Sequence, residues 1–136
     1  MRRAAPPGSF LREGGIMTEA KKKIPTKYRV FSEAGTFADH EILMDEKPSY
    51  DDLRSLVEPH LGGARLMHVR VLCPLLGAWT DMFVDEMGAL RRLPRNDAAT
   101  RIYRNGFLSK RPDDDPEKLP YIAGTAVVFL RQVWGD

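Results

Sequence analysis

From Lys27 to Glu33, Tyr28, Val30 and Ser32 alternate with Arg29, Phe31 and Glu33, the period of two of a half-buried strand that ends at Ala34, Gly35 and Thr36. A second short strand is expected from Glu41 to Met44. Pro48 and Ser49 then open a helix, with Ser49 as N-cap, Asp52 three residues on as its capping-box partner, and Asp51 and Asp52 at the positive end of the helix dipole. Tyr50, Leu53, Leu56, Val57 and Leu61 share one face, and Pro59 with Gly62 and Gly63 is expected to end the helix.

Arg65 to Cys73 places Met67, Val69 and Val71 inward and His68 and Arg70 outward, with Pro74 stopping the ladder. Trp79 to Asp85 follows after a short connection, so the two form an antiparallel hairpin. The second helix is expected from Asp97 to Arg104, capped by Asn96, apolar at Ala98, Ala99, Ile102 and Tyr103, and stopped by Asn105 and Gly106. A polar loop from Arg111 to Lys118 leads to Tyr121 to Leu130, a nearly continuous β-branched run expected as a central strand covered on both faces. The order β-β-α-β-β-α-β predicts an α+β fold: one mostly antiparallel sheet of about five strands with two covering helices. Leu53, Leu56, Val57, Val69, Val71, Phe83, Ile102, Val127 and Phe129 are expected to pack as its core.

A chain of 136 residues is one ordinary domain, placed at 27–136. Residues 1–26 carry Pro6, Pro7, Gly14, Gly15 and the run Lys21, Lys22 and Lys23 without an apolar face, and are expected to be a disordered tail. The tail has no apolar block of the kind an export signal needs. Codons for Glu13, Gly14 and Gly15 are purine-rich and lie where a bacterial ribosome-binding site would precede Met17, which points to Met17 as the true start.

The formal charge of +2 changes little, because Arg2, Arg3 and Arg12 against Glu13 supply all of it. Beyond residue 16 the chain has 18 basic and 18 acidic residues. No apolar run reaches the roughly 20 residues of a membrane-spanning helix, and a lone cysteine, Cys73, excludes an internal disulfide, as expected of a cytoplasmic protein.

Most candidate chemistry fails on spacing. His40, His60 and His68 lie on separate elements without metal-ligand spacing, so no metal or cofactor is expected. Cys73 beside His60 or His68 would be a nucleophile with a base, yet a lone cysteine at a strand end is usually a small buried hydrophobe. Gly62 and Gly63 lack the spacing of a phosphate loop, and Asp113, Asp114 and Asp115 lack that of a calcium loop. No catalytic residue is assigned.

What stands out is the segment from Leu90 to Gly106, where Arg91, Arg92, Arg95, Arg101 and Arg104 face only Asp97, a local +4. These arginines either form an ordinary exposed face, with Asp97 and Arg101 paired at i, i+4, which is the commoner case, or grip the phosphates of a nucleic acid. Gly124 is expected to admit a close neighbour to the central strand.

The stretch Asp85-Glu-Met-Gly-Ala-Leu-Arg-Arg-Leu-Pro-Arg-Asn96, followed by Ala99 to Tyr103 and by Asp115 to Val128, resembles a family of small bacterial, phage and plasmid proteins catalogued as a domain of unknown function, number thirty-eight forty-six. Its motif falls here on Gly88, Leu93, Pro94, Asn96, Gly124 and Thr125, with Asp97 standing where the family often has a basic residue. The resemblance covers about Glu41 to Arg131, supports the fold expectation and implies a mobile-element setting, but brings no activity with it. Two function classes follow: a small binding or regulatory module acting on nucleic acid or a host protein, which is favoured, and an enzyme with a site near Asn96, Thr100, Tyr103, Gly124 and Thr125.

Overall fold

Two hairpins and a closing strand account for the sheet. In the computed structural model, which describes residues 22–62 and 65–134, β1 (Lys23–Phe31) and β2 (Phe37–Asp45) form the first hairpin, and β3 (Leu66–Cys73) and β4 (Ala78–Asp85) the second. Helix α1 (Tyr50–Leu61) follows the first hairpin and α2 (Asp97–Lys110) the second. After a short 3-10 turn (Pro116–Lys118), β5 (Ala126–Phe129) slides between β1 and β4. The strand order is β2-β1-β5-β4-β3 and every pairing is antiparallel. The fold is the α+β arrangement the pattern predicts, and no helix among the described residues is long and apolar enough to cross a membrane.

All four residues of β5 are buried, as an unalternating apolar strand requires. The consequence for the core differs from the single cluster expected. Tyr28, Leu53, Val57, Phe83, Val127 and Phe129 pack under α1, whereas Phe31, Val71, Met82, Ile102, Ala126 and Val128 pack under α2. The sheet divides the expected core because successive β5 side chains point to opposite faces, each met by its own helix. Val69, Val71 and Ile102 therefore belong with α2, apart from Leu53, Leu56 and Val57.

Element ends also shift. β1 begins at Lys23, four residues before the expected boundary at Lys27, because Lys23 to Thr26 pair with Ile42 to Asp45 of β2. β2 is longer than the expected Glu41 to Met44 chiefly at its other end, where Phe37 to His40 pair with Tyr28 to Phe31. The tail expectation for residues 1–21, Met17 included, lies outside the described residues. In α1 the Ser49 hydroxyl accepts from the Asp52 N–H as expected, and Gly62, at φ 71°, makes the left-handed cap. Pro59 does not end the helix: the turn beyond it carries Leu61, whose burial in the α1 core outweighs the lost hydrogen bond. Likewise α2 runs past Asn105 and Gly106 to Lys110. A Cβ on Gly106 would stand 3.2 Å from the Trp79 ring, so this glycine admits the indole against the helix and offsets its low helix propensity.

Candidate nucleic-acid interface

The segment between β4 and α2 is a folded loop held by the residues of the Gly, Leu-Pro-x-Asn and Ile-x-Gly-Thr pattern. Gly88 lies so close to the Ala123 carbonyl that a Cβ there would approach its oxygen to 2.5 Å. The Leu93 N–H donates to the Gly88 carbonyl at 3.0 Å, and the Gly124 N–H to the Pro94 carbonyl at 2.8 Å. Gly124 has φ 89°, and Leu93 packs where its Cβ would be, the close neighbour the sequence anticipates. Asn96 closes the structure. Its Oδ1 accepts from the Ala99 N–H at 3.1 Å as the N-cap of α2, while its Nδ2 donates to the Phe31 and Gly124 carbonyls at 3.0 and 2.9 Å. One buried amide thus ties β1, the approach to β5 and the start of α2 together. Of the motif residues, Gly88, Leu93, Pro94, Asn96 and Gly124 build this knot; Thr125 adjoins it without a side-chain hydrogen bond.

The arginines on this frame fall into two groups. Arg104 is 7% exposed, with its guanidinium donating to the Pro120 and Leu119 carbonyls at 3.2 and 2.9 Å and facing Glu117 at 3.5 Å. Its donors are spent on holding the loop after α2, so Arg104 leaves the candidate phosphate-gripping set. Arg91 bonds the buried Asp85 carboxylate yet keeps about half its side chain exposed. Arg92 is exposed at φ 58°, a left-handed conformation imposed by the loop, and Arg95 pairs with Asp97 at 3.2 Å while its guanidinium lies 5.6 Å from the centre of the exposed Tyr121 ring. Asp97 thus pairs backwards with Arg95 where i, i+4 pairing with Arg101 was expected. Arg101 is exposed and has no hydrogen bond or ion pair with the described residues.

The alternative enzyme site does not assemble. The Thr100 hydroxyl donates to the Ile122 carbonyl at 3.3 Å and accepts the Ile122 N–H at 2.9 Å, and Asn96 is fully engaged. Tyr103 packs edge-on against Phe107, and burial raises its hydroxyl pKa. The polar groups of Asn96 and Thr100 serve the backbone, and Thr100 and Tyr103 line separate cavities, so the three do not meet in one. Cys73 is buried under α2, whereas His60 closes α1 and His68 meets Phe83 of the α1 core, so neither histidine joins it as a base. Among the described residues no three histidine, cysteine or acidic side chains gather as metal ligands.

A second polar centre escaped the sequence reading. Asp81, in the middle of β4, is wholly buried and accepts from His68 Nε2 at 2.6 Å and from the Val133 and Trp134 N–H groups at 2.7 and 2.9 Å, with Arg70 3.4 Å away. Burial alone would raise its carboxyl pKa; the His68 bond and then the two backbone bonds outweigh it and hold the group below the usual carboxylate value. The only signal was an acid in the interior of an otherwise apolar strand. Arg131 holds the same chain end, donating to the Thr26 hydroxyl and to the Asp45 and Glu46 carbonyls, each at 2.9 Å. Comparison of the chain with protein-family models, with curated proteins and with solved structures finds no match.

Proposed function

We propose that this protein is a non-enzymatic binding module that contacts nucleic acid through Arg91, Arg92, Arg95 and Arg101. The observation that carries the reading is the placement of four solvent-reaching guanidinium groups on and beside a loop pinned by Gly88, Asn96 and Gly124. A pinned loop presents charge with little ordering entropy left to lose on binding, which favours a polyanion over bulk water. Tyr121, exposed beside Arg95, adds a ring face on which an unpaired base can stack. A cytoplasmic setting in a bacterium, phage or plasmid host belongs to the same reading and rests on the family resemblance.

Salt titration tests it. In the full chain with Arg2, Arg3 and Arg12 and also Lys21 and Lys22 replaced by glutamine, so that these tail cations add no binding of their own, affinity for a short oligonucleotide should fall steeply with salt. Adding Arg92→Gln and Arg95→Gln should flatten the log-log slope by about 2. Arg104→Gln should leave the slope unchanged. Absence of binding to duplex or single strands at low salt, or a slope indifferent to Arg92 and Arg95, overturns the proposal and turns the search to a host-protein partner.

A further inference from the structure

Beside the α2 core lies a cavity of about 210 Å³ that the arginine loop does not use. Phe31, Cys73, Ile102 and Val128, all buried, line it, with Leu75 and Leu130 nearer the surface. Its walls are almost wholly apolar. Arg29 and Arg101 also contribute to its lining, and the two differ. Arg29 is held by both oxygens of Asp39 at 2.6 and 3.0 Å and lies 3.9 Å from the centre of the Phe37 ring, so its charge is already matched. Arg101 has no partner among the described residues. An apolar cavity bordered by one matched and one unmatched cation selects a ligand with an apolar body and a single negative charge.

We infer that this cavity binds a small aliphatic monocarboxylate, its chain against Phe31, Ile102 and Val128 and its carboxylate on Arg101. A cavity of about 210 Å³ suits a short aliphatic chain rather than a long one. A dianion would leave one charge without a partner, because Arg29 is committed to Asp39. A neutral chain of equal length gains the apolar contacts but leaves Arg101 unused. The inference goes beyond the nucleic-acid reading and stands on the cavity, although both use Arg101.

Octanoate is the probe. Titrated into the isotopically labelled full chain, it should move the amide signals of Ala98, Val128 and Leu130 saturably, while octanol of the same chain length binds at least tenfold more weakly. Arg101→Gln, at a site with no partner to lose, should weaken octanoate at least tenfold and leave octanol unchanged. Leu75→Asp, which sets a like charge at the exposed rim, should also weaken octanoate. The inference is overturned by shifts that do not saturate, by octanol matching octanoate, or by an Arg101→Gln protein that binds octanoate as well as before. Octanoate binding without oligonucleotide binding would keep this site and remove the nucleic-acid reading; the reverse would do the opposite.

Discussion

Each face of the sheet carries a buried polar side chain that ties the backbone of distant segments, Asn96 on one and Asp81 on the other, and the two closures differ in charge. On the α2 side the neutral amide of Asn96 spends its hydrogen bonds on main-chain groups of Phe31, Gly124 and Ala99. On the α1 side the carboxylate of Asp81 holds the Val133 and Trp134 N–H groups and is itself flanked by His68 and Arg70. An amide both donates and accepts, so one residue can bridge carbonyls and an N-cap; an ionised carboxylate only accepts and needs cations and N–H groups around it. The α2 closure should therefore ignore pH, whereas the α1 closure should respond to it.

The largest effect expected is that of Asp81→Ala, which strands the buried Val133 N–H and leaves His68 and Arg70 without their carboxylate. A loss of about 3 to 5 kcal/mol is expected, read by urea unfolding. Asn96→Ala should follow at about 3 kcal/mol, since it removes an N-cap worth about 1 kcal/mol and leaves two buried carbonyls unpaired at about 1 kcal/mol each. The reciprocal exchanges sharpen the contrast. Asn96→Asp keeps the cap acceptor but sets a charge against the Phe31 and Gly124 carbonyls, so it should be as harmful as alanine. Asp81→Asn keeps the shape and should be milder than Asp81→Ala. Equal losses from Asp81→Asn and Asp81→Ala would show that the charge alone carries the α1 closure, whereas a neutral Asp81→Asn would show that charge is irrelevant to it.

Val127→Ala comes next, at about 1 to 3 kcal/mol, because Val127 is wholly buried between α1 and its neighbours in the sheet. A neutral result would contradict the central placement of β5. Its legibility shows where sequence patterns suffice. The strand expected from Tyr121 to Leu130 forms only from Ala126 to Phe129, since Gly124 at φ 89° breaks the extended run before it, but the apolar, β-branched residues of that part do mark a strand covered on both sides. The same pattern is silent about which helix covers which side. The stated core therefore merged residues that the sheet separates.

Arginine marks the boundary of legibility at the site. Arg101 and Arg104 are three apart on one helix, yet the first is exposed and the second buried against Leu119, Pro120 and Glu117. Spacing along a helix assigns them neighbouring positions; the loop that returns over α2 decides which of them keeps its donors. Asn96 was legible as a cap because the signal is local, but its bonds to Phe31 and Gly124 span 65 and 28 residues and leave no mark in the pattern. Pro59 and Gly106 misled for the same reason, since packing of Leu61 and Trp79 overrode local propensity.

The smallest predicted effect tests the pH contrast near neutrality. His60 at the end of α1 lies 5.3 Å from the His40 ring and 5.8 Å from Tyr28, and burial, then the charge of His40, lowers its pKa below the ordinary 6.5. A depressed histidine favours the neutral form in the folded state, so its contribution is complete above about pH 6.5. Below that the unfolded chain takes up the proton first, and the contribution falls until the folded pKa is passed. The wild-type melting temperature should therefore drop between pH 7 and pH 5 by more than that of His60→Gln, and His40→Gln should narrow the drop by removing the repelling neighbour. Asp81 adds nothing in this window, because its lowered carboxyl begins to lose stability only as pH falls through about 4, the unfolded carboxylate value. Asn96→Ala, which alters only the neutral closure, should lower the curve and leave its pH dependence parallel to that of the wild type. A changed slope in Asn96→Ala would show that the two sides of the sheet are coupled through β5.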